Sequence, residues 1–338
     1  PGDIDTFFFT NGGAEANENA IRIARAVTGR HKILARYRSY HGGTAGAIAL
    51  TGDPRRWFAE PSIPGIIRAP EFHKYGRRDP EPLDVCVREL EDVIRYEGAQ
   101  NIAAFIMETV VGTNGILIPP DGYMKAVREL CDRHGILLIA DEVMAGFGRT
   151  GRWFAIEHWD VVPDMITMAK GLTSAYVQLG AVGMRRPIAE AFKDRAFPGG
   201  LTYNSHTLGC ATALATISVY EDEGLIDRAV KLGGVLRERM KDLERKHPSV
   251  GTTRNIGLFG IFEVVRNRET YEPMAPFNGH SEEMTALGAF FREQGLYTFV
   301  RWNTFFTNPP LVISEAQLQE GLDIIDRGLE ITDRAVKA

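Results

Sequence analysis

Short apolar runs alternate with amphipathic stretches over the first two hundred residues. Six runs carry three or more apolar residues and are bounded by Gly, Pro or Asn; they occupy residues 31–37, 65–70, 101–108, 135–143, 164–170 and 179–184. Between them, apolar residues recur at helical spacing, as at Ala16, Ala20, Ile23 and Val27. Because strands that are apolar on both faces belong inside a helix-covered sheet, this alternation predicts an α/β domain with a mostly parallel sheet.

The pattern changes after about Thr202. Residues 206–247 predict a long helix that is broken near the "EDEGLID" segment. Two glycine-rich strands, a helix, a further strand and a final helix from Ser314 follow. These elements predict a smaller α+β domain, and we place the boundary so that the large domain spans residues 1–218 and the small domain residues 219–338.

Composition excludes several classes of protein. The chain has 338 residues and a formal net charge of −5, which provides no basic field for nucleic acid. No apolar run approaches the ~18 residues of a membrane helix. The three cysteines form no CxxC pair, and the histidines form no HExxH motif, so we expect no metal site and a reducing, cytoplasmic location. The chain opens without Met, which suggests that a longer protein has lost its N-terminal part.

The segment "FFFTNGGAEANENA" runs from a strand into a helix through two glycines, Gly12 and Gly13. Glycines allow close backbone approach, and the free N–H groups of the helix start form a suitable anion site, best matched to a phosphate. The alternative is a plain strand-to-helix turn. This segment alone does not decide between the two.

Two further residues follow apolar strands. Asp141 comes at the carboxyl end of "GILLIA", where ligands bind in open α/β sheets, and could hold a cationic ring nitrogen. Lys170 follows "DMITMA", and a lysine desolvated at a strand end can offer a neutral, nucleophilic amine. A solvated or capping carboxylate and a surface lysine are the respective alternatives.

The stretch "GFGRTG", from Gly146 to Gly151, fits the G-x-G-x-x-G pattern of dinucleotide sites. That fingerprint requires glycines directly after a strand and at the start of a helix. Here the strand stops at Ala140, and no clear helical pattern follows. The match is therefore weak evidence for a nucleotide loop.

Taken together, a phosphate site, an aspartate and a lysine 29 residues later are the parts that pyridoxal 5'-phosphate (PLP) requires. At this point the chain resembles the class III PLP-dependent aminotransferases of fold type I over essentially its whole length, most closely the taurine–pyruvate and ω-amino acid:pyruvate enzymes. The matching segments are "NGGAEA", "SYHGG", "IMETVVG", "IADEVMAGFGRTG", "AKGLTS", "LTYNSH" and "FVRWNTFFTNPPL".

The resemblance implies a role for each matching residue. It makes Lys170 the catalytic Schiff-base lysine, pairs Asp141 with the ring nitrogen, and places Tyr40 and Val143 on the two faces of the ring. Phosphate contacts would come from the turn that contains Gly12, Gly13 and Ala14, where Gly12 replaces the family's usual serine. Glu108 would lie near cofactor and substrate, Thr202 would reach the phosphate of the neighbouring subunit in a homodimer, and Arg301 would bind the substrate carboxylate.

The function that the resemblance implies is transfer of an amino group from an ω-amino acid or amine, taurine-like or β-alanine-like, to pyruvate or another keto acid by a ping-pong mechanism. One alternative is an aminomutase or racemase-like member of the same family. A second, from another class, is an NAD-dependent dehydrogenase that uses the "GFGRTG" loop. The family's N-terminal segment, which lines part of the pocket, is absent from this sequence.

Overall fold

The computed structural model describes residues 1–337, which form two compact units. Unit 1 contains residues 1–72, 81–147 and 152–223, and of the described residues unit 2 contains 73–80, 148–151 and 224–337. The predicted boundary at residue 218 falls inside a helix, Thr207–Asp222, and the long C-terminal segment of unit 2 begins after this helix, at residue 224. The short segments 73–80 and 148–151 join unit 2 although they lie far from it in sequence.

Unit 1 is built on a seven-stranded sheet with the strand order β1-β7-β6-β5-β4-β2-β3. Neighbours from β3 to β6 pair in parallel, whereas β7 is antiparallel to both β6 and β1. The predicted mostly parallel sheet is therefore confirmed. The strands are β1 (Ile4–Thr10), β2 (Lys32–Arg36), β3 (Ile66–Ala69), β4 (Ile102–Glu108), β5 (Leu137–Asp141), β6 (Met165–Met168) and β7 (Gly180–Arg185).

Six helices accompany this sheet. Helix α1 packs on the central strands, because its small and branched apolar residues, including Ala16, Ala20 and Ile23, enter the core between helix and sheet. It ends at Gly29, whose left-handed backbone (φ 68°) suits glycine. The helices are α1 (Gly13–Thr28), α2 (Ala45–Leu50), α3 (Leu83–Glu97), α4 (Tyr123–His134), α5 (Arg186–Glu190) and α6 (Thr207–Asp222).

Unit 2 is an antiparallel sheet with three helices, as predicted for the smaller α+β part. Strand β9 lies between β8 and β12 and also pairs with β10, while β11 pairs with β12. Ser314 caps the last helix through its hydroxyl. The elements are α7 (Leu225–Lys246), β8 (Val250–Ile256), β9 (Phe259–Asn267), β10 (Glu272–Pro273), α8 (Glu282–Glu293), β11 (Val300–Arg301), β12 (Thr304–Thr307) and α9 (Glu315–Asp333).

The carboxyl edge of the unit 1 sheet gathers polar groups. Strands β4 and β5 are neighbours in register, so their last residues, Glu108 and Asp141, lie side by side. Strand β6 follows, with Thr167 opposite Asp141 and Lys170 two residues beyond the strand end. This edge therefore places carboxylates and an amine close together.

Within residues 1–337, no helix is both long and apolar enough to cross a membrane.

Candidate active site

A cavity of about 230 Å³ opens at the carboxyl edge of the unit 1 sheet. It brings together seven of the ten residues that the sequence singled out, whereas Gly12, Thr202 and Arg301 are not among its lining residues. The lining residues are Gly13, Ala14, Asn17, Tyr40, His41, Gly42, Gly43, Glu108, Thr113, Asp141, Val143, Met144, Ala169 and Lys170.

The first turn of α1 forms one wall of this cavity. Gly12 is the extended N-cap residue, and the first turn leaves backbone N–H groups without partners inside the helix. A Cβ on Gly13 would lie 2.8 Å from Val143 Cγ1, so no side chain fits between this turn and the loop after β5. The N-terminus of this 16-residue helix, which carries a partial positive charge, thus faces the cavity, and no side chain covers its backbone at Gly13. Such a helix end suits an anion such as phosphate.

The carboxylate of Asp141 has three hydrogen-bond partners. Its Oδ2 accepts from Asn17 Nδ2 at 2.8 Å and lies 2.7 Å from His41 Nδ1, and its Oδ1 accepts from Val143 N at 3.0 Å. Only 4% of the residue is exposed. Three donors therefore hold this carboxylate in one orientation, as a partner for a cationic N–H group requires.

Glu108 lies beside Asp141 and holds the loop that carries Tyr40. Its Oε1 accepts from Tyr40 N at 2.9 Å and its Oε2 from Gly112 N at 2.8 Å. Burial raises the pKa of the Glu108 carboxyl, a shift that the nearby His41 opposes and Asp141 reinforces. Both oxygens are engaged with backbone groups, so in this structure Glu108 fixes the cavity wall.

Tyr40 is held from outside the cavity by Arg55. The guanidinium carbon of Arg55 lies 3.5 Å from the centroid of the Tyr40 ring. Arg55 is itself paired with the buried carboxylate of Asp53 and donates to Thr113 Oγ1 at 2.8 Å. These contacts restrict the plane of the aromatic ring, which is what stacking against a flat ligand requires.

Lys170 begins a short 3₁₀ helix, Lys170–Leu172, directly after β6. Its backbone has φ 37°, an uncommon conformation for a residue with a side chain. The next residue must be glycine, since a Cβ on Gly171 would lie 2.7 Å from Phe147 Cβ. Lys170 lines the cavity, but the residue is exposed. The single chain therefore does not shield the Lys170 amine from water, as its position at a strand end had predicted.

Three predicted residues lie elsewhere. Gly12 caps α1 beside the cavity. Thr202 is exposed in the turn that precedes α6, and its predicted role concerned a neighbouring subunit. Arg301 belongs to β11 of unit 2, where its guanidinium lies 4.2 Å from the Trp302 ring.

The sequence-based analysis missed Asn17 and His41, the two side chains that contact Asp141 Oδ2. Both stand within segments that had been singled out, "NGGAEANENA" and "SYHGG". A signal was present for Asn17, because a polar residue beside Ala16 and Ala20 on the buried face of a helix needs a buried partner. His41 is equally buried, and its Nε2 has no hydrogen-bond partner in the structure.

The "GFGRTG" stretch does not form a nucleotide loop. It is separated from β5 by four residues, and the element after it is a 3₁₀ helix, Ala155–Trp159, instead of the long helix that a dinucleotide site requires. Within unit 2, the Arg149 side chain donates to Leu258 O and Pro309 O at 3.0 and 2.6 Å. The second half of the stretch therefore serves as a structural anchor.

A larger cavity, of about 460 Å³, lies in unit 2 beside α9 and β12. Its lining is mostly apolar and includes no amine, carboxylate or imidazole among the described residues. No group of three or more His, Cys, Asp or Glu side chains suited to a metal ion occurs among residues 1–337. Of these two cavities, the one in unit 1 is lined by an amine, carboxylates and an imidazole.

Comparison with known proteins identifies a family of similar sequences and structures. A family model described as "Aminotransferase class-III" matches residues 1–329. "Uncharacterized aminotransferase YhxA" of Bacillus subtilis is 43% identical over 279 residues, which are 79% of this chain and 61% of that relative. "Taurine--pyruvate aminotransferase" of Bilophila wadsworthia is 34% identical over 353 residues, covering 97% of this chain and 76% of the relative.

Among solved structures, a taurine:2-oxoglutarate aminotransferase from Bifidobacterium kashiwanohense, in complex with PLP and glutamate, superposes with a TM-score of 0.93. It is 42% identical, and the match covers 98% of this chain and 76% of that one. The chain thus spans between about three fifths and three quarters of the length of these three similar proteins.

Proposed function

The chain belongs to the class III aminotransferase family, and from this premise we propose that it transfers an amino group from an ω-amino acid or amine to pyruvate or another keto acid, with PLP as cofactor. The observation that carries the proposal is the unit 1 cavity, which combines a helix N-terminus, the three-donor Asp141 carboxylate and the Lys170 amine. In PLP, the phosphate requires an anion site, the protonated ring nitrogen requires a carboxylate, and the aldehyde requires an amine.

The residues around the cavity fit PLP by their chemistry. Backbone N–H groups of Gly13 and Ala14 would bind its phosphate, and Asp141 would accept from its ring nitrogen. Tyr40 and Val143 would cover the ring faces. When bound, PLP supplies an electron sink for the negative charge that develops at a substrate carbon as it loses its proton.

The chain's own residues then perform three tasks. Lys170 Nζ would act as the general base that removes the proton from the substrate carbon bearing the amine, and would return it to the carbon that was the cofactor's aldehyde carbon. Asp141 stabilises the positive charge on the ring nitrogen and so favours proton removal. Glu108, through the Tyr40 backbone, and Arg55, through the Tyr40 ring, keep the cavity wall in place.

Substrate recognition is proposed to involve Arg301. A planar guanidinium forms two parallel hydrogen bonds with a carboxylate, as a keto acid acceptor requires. An ω-donor carries its acidic group far from the reacting amine, so one arginine would serve both partners by changing its rotamer. Similar proteins named for taurine differ in acceptor, pyruvate in one and 2-oxoglutarate in another, so both belong in any assay.

We further propose that the protein is a homodimer in which Thr202 completes the phosphate site of the partner. Helix α6, which follows Thr202, exposes large apolar side chains: Leu208 is 59% and Leu214 is 68% exposed in the single chain. An apolar face of this kind is typical of surfaces covered by another subunit.

A donor and acceptor screen tests the proposed reaction. Purified protein loaded with PLP is offered taurine, β-alanine, a simple primary amine and several α-amino acids, with pyruvate or 2-oxoglutarate as acceptor. We expect ω-donors to yield the aminated acceptor. Turnover of α-amino acids alone would contradict the donor class, and return of the amino group to the donor skeleton would indicate an aminomutase.

A further inference from the structure

Behind the cavity, a chain of hydrogen bonds links three elements of unit 1 to the Asp141 carboxylate. Thr167 Oγ1, on β6, donates to Asn17 Oδ1, on α1, at 2.7 Å. Asn17 Nδ2 donates to Asp141 Oδ2 at 2.8 Å and to the backbone oxygen of His41 at 2.7 Å. Thr167, Asn17 and Asp141 are 0%, 1% and 4% exposed, so water does not compete for these bonds.

The chemistry of the partners determines the orientation of the Asn17 amide. A carboxylate oxygen and a backbone carbonyl accept hydrogen bonds but cannot donate them. The two N–H bonds of the amide must therefore face Asp141 Oδ2 and His41 O, which leaves the amide oxygen to Thr167. Without the Thr167 hydroxyl, this buried oxygen would lose its donor, and the amide would be held only through its N–H groups.

The acceptor positions of the Asp141 carboxylate can be counted in the same way. A carboxylate oxygen offers about two acceptor positions. On Oδ2 both are taken, by Asn17 and His41, whereas on Oδ1 only one is taken, by the backbone N–H of Val143. One acceptor position thus remains on the carboxylate, and it belongs to Oδ1.

We propose that Asn17 and Thr167 are positioning residues for Asp141: they occupy Oδ2 with a neutral donor and so present Oδ1 to the ring N–H of PLP. This inference rests on the proposed function, since it concerns the same cavity and cofactor. Asn17 suits the task because its amide is a neutral donor, which occupies Oδ2 without placing a further charge beside the carboxylate. The arrangement keeps one acceptor position free on the carboxylate.

The test compares isosteric variants of the chain. Thr167→Val keeps the shape of the side chain and removes the hydroxyl, and Thr167→Ser restores a hydroxyl. Asn17→Asp keeps the oxygen that faces Thr167 and replaces the donor that faces Asp141 by a second acceptor. Thr109→Val is the matched control, because Thr109 is a fully buried threonine just after β4 whose hydroxyl donates to Glu142 Oε1 instead.

PLP is removed from each purified protein and added back, and the dissociation constant and the pH dependence of the visible absorption band are measured. We expect Thr167→Val to raise the dissociation constant about tenfold, and Asn17→Asp by more, as for buried partners left unsatisfied. Both variants should shift the pH midpoint of the band. Thr167→Ser should stay within about twofold of wild type, and Thr109→Val should bind PLP normally.

Melting curves of the PLP-free proteins establish that each variant folds. If Asn17→Asp does not fold, the comparison of Thr167→Val with Thr167→Ser still tests the inference. Wild-type affinity and an unchanged band in Thr167→Val would overturn the inference while leaving the proposed function intact. Equal losses in Thr167→Val and Thr109→Val would also overturn it, since the role would then be general packing. Failure of the wild-type protein itself to bind PLP would overturn both.

Discussion

The Asp141 carboxylate and the His41 imidazole form a buried pair, with 2.7 Å between Asp141 Oδ2 and His41 Nδ1. The two residues are separated by 100 positions in the sequence and meet at the carboxyl edge of the sheet. The other ring nitrogen of His41 is buried without a hydrogen-bond partner. The pair thus places an imidazole ring against the carboxylate that is proposed to bind the cofactor's ring nitrogen.

Removal of the Lys170 amine should abolish turnover while the fold is retained. We expect Lys170→Ala to lower kcat by about 10³-fold or more, since a general base contributes ~10²–10⁴-fold. Lys193→Ala, at an exposed lysine of the same unit, should be nearly as active as wild type. After borohydride reduction of the PLP-loaded protein, mass spectrometry should find the pyridoxyl group on the peptide that contains Lys170; its appearance on another peptide would refute the assignment.

Asp141→Asn should weaken PLP binding and slow proton removal more than it harms folding. The substitution deletes a charge-assisted hydrogen bond worth ~1.5–3 kcal/mol and removes the charge that stabilises the ring nitrogen. Stopped-flow rates of the donor half-reaction measure the effect, and the melting temperature of the PLP-free protein is the control. Half-reaction rates close to those of wild type would contradict the role.

The Glu142 carboxyl should make stability fall as pH rises. It is fully buried, where burial raises its pKa from the usual 4.5 to about 7, despite hydrogen bonds from Thr109 Oγ1 and from the Ala155 and Ile156 N–H groups. Between these pH values the folded chain binds more protons here than the unfolded chain. The stabilisation is therefore complete below about pH 4.5 and is lost as pH rises through about 7, by about 3 kcal/mol in all.

Urea unfolding midpoints at about pH 5 and pH 8 measure this dependence, the range being chosen to bracket the titration. Glu142→Gln should be less stable than wild type, because its amide N–H bonds would face a backbone N–H of the Ala155–Ile156 turn. Its stability should nevertheless change less with pH than that of wild type. Equal pH dependence in both proteins would show that Glu142 does not titrate in this range.

An acidic residue on the exposed face of α6 should dissociate the proposed homodimer. We expect Leu214→Asp to produce monomers with strongly reduced activity, because a charge would be placed in an apolar interface. Tyr96→Asp is the control, since this aromatic side chain on α3 is 82% exposed and lies outside the proposed interface. Sedimentation velocity and activity at matched concentrations are the measurements, and a fully active monomer would exclude the role of the partner's Thr202.

Arg301→Ala should raise the KM for the keto acid by about tenfold or more, the usual cost of losing a charged hydrogen-bond pair. A primary amine donor without a carboxylate should be affected less. Arg292→Ala, at an exposed arginine of the same unit, is the control. Unchanged kinetics for pyruvate and for 2-oxoglutarate in Arg301→Ala would rule out the carboxylate role.

Local patterns in the sequence were sufficient for the architecture and for part of the cavity. Apolar runs of strand length between amphipathic helices predict a covered parallel sheet, because each segment carries its own burial requirement. The same logic places Asp141 and Lys170 at one edge, since carboxyl ends of parallel strands lie on the same side. Their specific pairing with a cofactor came from the resemblance to a family, and the comparisons confirm that family.

Only the tertiary structure decided which side chains contact Asp141 and where the units divide. Asn17 lies 124 residues and His41 100 residues from Asp141, and Thr167 acts on it through Asn17. Segments 73–80 and 148–151 likewise join unit 2 from within the first half of the chain. Such contacts leave no periodic trace in the sequence, because hydrogen bonding of a buried polar group depends on what the folded chain places beside it.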